Sequence, residues 1–507
     1  MKKLYIFLFV LNFSIFQNLN AIDKNINLEK KLELQWKNYD KARELLLQKA
    51  ALGDVPLEEK LISREDWEKL IALSPSEDFT DDDLLYLKTL QEKRIYKAKI
   101  KAKYESIIDL TKVRHKQLEK QFCEQFPKGG MLHVHPSGTL DRNIANILLQ
   151  KNNPVLEFDA IFNDIDNSSG NKMLYPSERL WLSNLPKGAK YSDLTKNSQN
   201  KFQSFLFLPA GKQPFPRFNS VFSFLNFATP DNSSYQQSLL AFVNKAAKEG
   251  VIYIEFTGTA KPQFYDTLSY LENQTGVTLR LNNAFRRTKD IKNLNDDWNK
   301  FINSSSNKYL VGIDFLDNEE NNPSLEKGQF IYSSALFGSL NGTNKLHRTM
   351  HSGEIGLIED PRDSMIMGVE RMGHGVNLSK DIIALEYASR NKMPIEINIS
   401  SNLRLTSIDN VKQHPFIKYL RLGLPVSLST DDEGMFDIDI NNECTIALKK
   451  TDISYAELKQ MSYNSITTSF AAKEDKDLLK IKLDHLFYQF EKSSFVQNLD
   501  LLKISSY

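Results

Sequence analysis

The stretch "MLHVHPSG", Met131 to Gly138, sets His133 and His135 one residue apart, between an apolar pair and a Pro-Ser-Gly turn, in a chain with only eight histidines. Residues two apart on a strand share a face, so both imidazoles can point at one ion. Further along, "HRTMHSGE" carries His351 and Glu354, "RMGHG" carries His374, and "SLSTDDEGMF" carries Asp431 and Asp432. Three neutral imidazoles and one carboxylate make a borderline nitrogen and oxygen set suited to zinc, Zn2+, with a position left for water. Each motif alone has an ordinary reading as a hydrogen-bonded histidine pair, a turn or a helix cap. Acting together, they need a scaffold that brings them to one point.

From Gly129 onward, short apolar runs alternate with helical patterns, the signature of βα units around a parallel sheet. The runs are "GGMLHVH" (129–135), "VIYIEF" (251–256), "VTLRLNNAF" (277–285), "YLVGIDFL" (309–316), "KLHRTMHSGE" (345–354), "RMGHG" (371–375), "PIEINIS" (394–400) and "PVSLSTDD" (425–432). Eight such runs predict an α/β fold, a (β/α)8 TIM-type barrel, whose chemistry sits at the C-terminal strand ends. His133 and His135 close the first run, His351 and Glu354 the fifth, His374 the sixth, and Asp431 and Asp432 the eighth, so all converge on one rim. Residues about 155–230, rich in Asn, Ser, Pro and Phe, read as an insertion between strands 1 and 2 that covers the mouth.

Ahead of the barrel, residues from about 25 to 126 read as helices. Leu32, Trp36, Tyr39 and Leu46 recur at helical spacing, and Thr80 precedes three acids that complement a helix N-terminus. The expected organisation is a leader at 1–21, a helical region at 22–110 and the barrel at 111–507. Lys2 and Lys3 stand before the apolar run "LYIFLFVLNFSIF", and "LNA" ends at Ala21, which reads as an export signal cleaved there. That run is shorter than the ~20 residues a membrane span needs. The mature chain is expected to be secreted or periplasmic, with no stable membrane association. A Cys123–Cys444 disulfide would be permitted in such a compartment, and two free buried thiols fit the sequence equally well. With 65 basic against 64 acidic side chains, no field attracts nucleic acid. His115, His347, His414 and His485 fall outside the rim pattern and read as structural or surface residues.

The ordered series "HVH", "HSGE", "RMGHG", "IEINISSN" and "SLSTDDEGMF" resembles the adenosine deaminase family of metal-dependent hydrolases, which carries HxH, HAGE, RIGHG, ExCPxSN and S-x-(N/S)-T-D-D-P motifs in the same order. The resemblance covers roughly residues 127–470. The helical N-terminal region and "FPKGGMLHVH" look like the secreted growth-factor branch, whose members commonly dimerise through these helices. Residues 22–110 therefore either mediate a homodimer, with Trp36, Leu32, Tyr39 and Leu46 in its seam, or pack on the chain's own barrel.

Carried over position by position, the resemblance implies zinc ligands at His133, His135, His351 and Asp431. It implies Glu354 as proton donor at purine N1, His374 orienting and helping to deprotonate a water, and Asp432 sharing a hydrogen bond at N7. The implied reaction is hydrolytic deamination of adenosine, or 2'-deoxyadenosine, to inosine and ammonia. Activated water attacks C6 while a carboxylic acid protonates the ring nitrogen. Such an acid needs a raised pKa, which a closed pocket supplies.

Ser137 stands where many members have an Asp that contacts the ribose, and Asp317 in "GIDFLDNEE" stands where a Gly offers its backbone N–H near N3. Both are read as substrate-binding positions. Asn398 and Ile399 replace the Cys-Pro pair, and Glu433 replaces a Pro. Three alternatives stay open: a deaminase of another aminopurine compound, a secreted nucleoside-binding or signalling protein without turnover, and a barrel hydrolase of esters or amides. No lysine is placed as a metal-bridging carbamate, which argues against the last. The cytidine-type zinc deaminases are excluded because their H-x-E…P-C-x-x-C signature is absent.

Overall fold

The computed structural model describes residues 2–53, 55–303, 307–406 and 408–502, with side chains from Asp23 onward. The expected leader, 1–21, lies outside the residues whose side chains are described. The eight apolar runs form strands β1 (Gly129–Val134), β2 (Val251–Gly258), β3 (Thr278–Arg286), β4 (Leu310–Leu316), β5 (His347–Ser352), β6 (Arg371–His374), β7 (Ile395–Ile397) and β8 (Val426–Leu428). They pair in parallel and in sequence order, β1 to β8. A Val134–Asp431 bridge brings β8 back to β1, with Asp431 N donating to His133 O at 3.1 Å and His135 N to Asp431 O at 3.3 Å. The ring therefore closes at His133, His135 and Asp431. β1 is buried at every position, which is why it reads as a continuous apolar run and not as an alternation. β7 and β8 are shorter than their runs because the chain turns into helix Ile399–Leu405 after Ile397, and through Ser429 to Asp432 after Leu428.

Between β1 and β2 the chain is helical and carries its own aromatic core, in which Phe158, Phe202, Phe205, Phe218 and Phe224 are buried together with Leu405, Met435 and Phe436 from the barrel loops. Phe218 stacks on Phe436 with centroids 5.5 Å apart. Offset aromatic pairs of this kind contribute beyond their buried area, and here they seat the insertion on the C-terminal rim.

The N-terminal helices are α1 (Lys2–Ala50), α2 (Arg64–Ile71) and α3 (Asp81–Glu105). Thr80 caps α3 in a capping box with Asp83, as a hydroxyl followed three residues later by an acid dictates. Leu28 and Leu32 bury against Leu87 of α3. Tyr39, Ala42 and Leu46 join the main barrel core, and the ring of Trp36 lies 6.0 Å from that of Tyr387. Arg43 donates to the carbonyls of Met365 and Ile366, and Trp67 Nε1 donates to Asp363 Oδ1 at 2.9 Å. Leu32, Tyr39 and Leu46 are 0, 2 and 2 % exposed within the single chain. Of the two arrangements the sequence left open for these residues, the structure shows the second: the apolar stripe is buried against α3 and the chain's own barrel. Among the described residues, no helix is long and apolar enough to cross a membrane. A disulfide joins Cys123 to Cys444, with Cα atoms 5.8 Å apart across 321 residues of sequence, which settles the choice between bonded and free thiols.

Candidate active site

Four of the eight strand ends deliver the parts of a single cluster that lines a cleft of about 410 Å³. His133 and His135 come from β1, His351 from β5, His374 from the last position of β6, and Asp431 from the turn after β8. His135 Nε2 lies 3.2 Å from His351 Nε2 and 3.1 Å from Asp431 Oδ1, and His133 Nε2 lies 3.7 Å from the same oxygen. His374 and Asp431 both have left-handed backbones, with φ of 62° and 64°. Non-glycine residues rarely hold this conformation, and it recurs where surrounding structure forces a side chain into a working position.

The donor set fits a divalent ion. His133 Nδ1 faces Glu396 Oε2 at 2.6 Å, and His351 Nδ1 faces Asp314 Oδ1 at 3.1 Å. A carboxylate can only accept, so each Nδ1 carries the hydrogen and each Nε2 turns its lone pair toward the cluster, the arrangement typical of metal-ligating histidines. Two nitrogens bound to one tetrahedral zinc at about 2.0–2.1 Å lie roughly 3.3 Å apart, close to the His135–His351 separation. Among the described residues, buried His133 Nε2 and His374 Nε2 have no hydrogen-bond partner. Burial works against charge on His135, yet Asp432 and Asp431 outweigh it and lift the ring to about 10. This point in the cleft calls for positive charge. His133, His135, His351 and Asp431 could together hold the ion.

Glu354 stands two residues past β5 and reaches to within 3.7 Å of His374 Nε2. Burial pushes its carboxyl well above the usual range, and the nearby Asp431 and Glu319 add to this, the direction an acid catalyst needs. Burial also raises Asp432, while burial lowers His374 and keeps it neutral. Glu319 accepts from Ile355 N at 3.1 Å and Gly356 N at 2.7 Å, which fixes the loop that carries Glu354. Asp432 sits so close to the Pro-Ser-Gly turn that a Cβ on Gly138 would lie 1.7 Å from its Oδ1. Only glycine allows this approach.

Ser137 lines the cleft wall, as does Asp317. The carboxylate of Asp317 is already engaged, accepting from Asn219 Nδ2 at 3.0 Å, Thr288 Oγ1 at 2.9 Å and Arg286 Nη1 at 3.2 Å. It ties the insertion to the barrel mouth. Phe215, Phe218 and Phe222 of the insertion complete the cleft wall. Three participants escaped the sequence reading: Asp314, Glu396 and Glu319. For the first two the available signal was a lone acid inside an apolar strand run, "VGIDFL" and "PIEINI".

A family model described as adenosine deaminase matches residues 189–486. The adenosine deaminase of Clostridium kluyveri is 31% identical over 169 residues, 33% of this chain and 47% of that protein. The chain thus spans about half the length of the curated relatives it matches. Among solved structures, adenine deaminase from Arthrobacter aurescens superposes with a TM-score of 0.55 at 19% identity, over 72% of this chain and 100% of that one. An amidohydrolase from Burkholderia ambifaria with bound Zn gives 0.54 at 15% identity, over 74% and 95%. At such identities the two structures show a shared fold.

Proposed function

Because the chain belongs to the adenosine deaminase family, we propose that it is a zinc-dependent hydrolase that deaminates an aminopurine, with adenosine or 2'-deoxyadenosine as substrate. The observation that carries this reading is a buried Glu354, 3.7 Å from His374 Nε2, in the same cleft as the histidine and aspartate cluster. Zinc held by His133, His135, His351 and Asp431 would lower the pKa of an adjacent water toward neutrality.

The chain's own residues do the rest. Glu354 gives its proton to the purine ring nitrogen as the ring is attacked, so that charge does not accumulate there. His374, whose Nε2 lies 3.9 Å from Asp431 Oδ2, aligns the attacking oxygen. Asp432, whose carboxyl burial pushes upward, is placed to share a hydrogen bond with the ring at N7. The phenylalanines of the insertion keep bulk water away, which strengthens each of these interactions. The proton of the added hydroxyl passes to the amino group, which leaves as ammonia as the carbonyl of inosine forms, and the other proton of the water restores Glu354.

Incubating the purified protein with adenosine tests the reading. The ultraviolet spectrum should shift toward that of inosine with release of one ammonia per nucleoside. An unchanged spectrum from zinc-loaded protein would reject adenosine. A second reading within the same chemistry is favoured by Ser137, which lacks a carboxylate, and by the engaged carboxylate of Asp317. The neighbour from Arthrobacter aurescens is named an adenine deaminase. Turnover of the free base or of a nucleotide, with adenosine inert, would select that reading.

A further inference from the structure

Behind His374, on the side away from the cleft, three hydrogen bonds run in line to a backbone amide. Phe416 N donates to His414 Nδ1 at 3.3 Å. His414 Nε2 faces Asn402 Oδ1 at 3.0 Å, and Asn402 Nδ2 faces His374 Nδ1 at 2.9 Å. Asn402 and His374 are 0 % exposed and His414 is 4 % exposed, so water does not compete for these bonds.

The polarity of this chain follows from its anchor. A backbone N–H can only donate, so His414 Nδ1 must accept, and the one hydrogen of the neutral ring sits on Nε2. Burial holds His414 at about 3, which agrees with a neutral ring. The Nε2 hydrogen needs an acceptor, which turns the Asn402 oxygen toward His414 and the Asn402 amide nitrogen toward His374. His374 Nδ1 therefore accepts, and its own hydrogen lies on Nε2. That nitrogen faces the cleft, 3.7 Å from Glu354 Oε2 and 3.9 Å from Asp431 Oδ2.

We propose that Asn402 and His414 are positioning residues that hold His374 as the Nε2–H tautomer, so that it meets the attacking water as a hydrogen-bond donor and not as a base. A ring nitrogen that already carries hydrogen has no lone pair with which to take another. The help in deprotonating water expected of His374 from the resemblance is thereby replaced by alignment. The proposal rests on the deaminase reading for what His374 faces, but the tautomer itself depends only on the hydrogen bonds behind the ring. His414, read from sequence as structural or surface, sets the proton position of a cleft residue from two side chains away.

Nitrogen-15 spectra of the full chain labelled on histidine at neutral pH read the tautomer directly, because protonated and lone-pair ring nitrogens resonate far apart; His374→Ala assigns the signal. The expected result is hydrogen on Nε2 of His374, and hydrogen on Nδ1 would overturn the proposal. Two variants then separate polarity from packing. In His414→Gln the amide nitrogen can donate to Asn402 while its oxygen accepts from Phe416, preserving the direction of the chain. In His414→Leu both bonds are gone. His414→Leu should lower kcat by about 10–100-fold, the usual cost of losing an outer partner of a site histidine. KM, metal content and circular dichroism should change little, and His414→Gln should recover most of the loss. Equal losses in the two variants, or full activity in His414→Leu, would overturn the assignment. A wild-type chain with the Nε2–H tautomer that turned over no aminopurine would reject the deaminase reading and leave the relay in place.

Discussion

Two buried charge clusters share the barrel interior, and they differ in how completely they are paired. Deeper in the barrel, Arg371 donates to Glu396 and Glu255 and, at 3.0 Å, to the carbonyl of Thr468. Its guanidinium lies 3.8 Å from the Phe470 ring centroid. Glu255 also accepts from Tyr253 at 2.7 Å and from Asn282 at 3.1 Å. At the rim, His133 Nε2, His374 Nε2 and Asp432 Oδ1 are equally buried and without a partner among the described residues. Unpaired buried polar atoms are costly; others occur elsewhere in the chain, but these three belong to imidazoles and a carboxylate at one rim, where a ligand could satisfy them together. In the deep cluster every charged group is paired, with Asn282 Oδ1 left without a partner among the described residues, and the cluster serves the fold. Glu396 belongs to both, accepting from Arg371 below and from His133 above, so the deep cluster also orients the first rim histidine.

The sharpest break of this contrast is at the rim. His135→Ala or Asp431→Ala should remove bound zinc and lower activity by ~10³-fold or more, since a catalytic ion supplies several kcal/mol of transition-state stabilisation. Metal analysis beside the activity assay checks it, and full metal occupancy in both variants would show that the ligands are wrongly chosen.

The deep cluster should respond in stability. Arg371→Met leaves two buried carboxylates without their cation, which costs about 3–5 kcal/mol. Chemical unfolding should show that loss, and an unchanged midpoint would mean that the pairing is not structural.

Glu354→Gln comes next. The amide is nearly isosteric but delivers no proton, so turnover should fall by about 10²-fold with zinc still bound. Near-normal turnover would exclude Glu354 as the acid.

The smallest effect concerns pH. Burial lifts Glu433 and Glu443 from 4.5 to about 7, and Glu249 to about 8. A carboxyl whose folded pKa lies above its unfolded value binds its proton more tightly when folded. Its contribution to stability is fully present below about 4.5 and fades as pH rises toward 7. Buried His374 and His414, whose folded pKa values are lowered, act in the opposite sense over the same interval, so the check is a difference: the Tm of the wild type minus that of Glu443→Gln should fall between pH 5 and pH 7. A difference that rises over this interval would contradict the shift assigned to Glu443.

Much of this was legible in the linear chain because it depends on local periodicity. Two histidines at i and i+2 on a strand must share a face, and eight apolar runs separated by helical patterns leave few arrangements other than a barrel. Thr80 followed by acids predicts its helix start for the same local reason. The order of His133, His135, His351, Glu354, His374, Asp431 and Asp432 along those runs already placed them on one rim.

What only the tertiary structure decided is what covers or faces each group. The spacing of Leu32, Tyr39 and Leu46 shows that α1 has an apolar face, but periodicity does not say whether another copy or the barrel buries it. The partners of Asp314 and Glu396 are imidazoles from other strands, and a carboxylate in a strand run carries no label for its neighbour. Cys123 and Cys444, 321 residues apart, meet only because the barrel closes. Asp317 is engaged by Asn219 from the insertion, by Arg286 at the end of β3 and by Thr288 just beyond it, a set no spacing brings together. His414 acquires its influence on His374 through one amide and one backbone N–H. Side-chain type and periodicity are local properties of the chain, whereas hydrogen-bond polarity and burial belong to the environment that distant segments build around a residue.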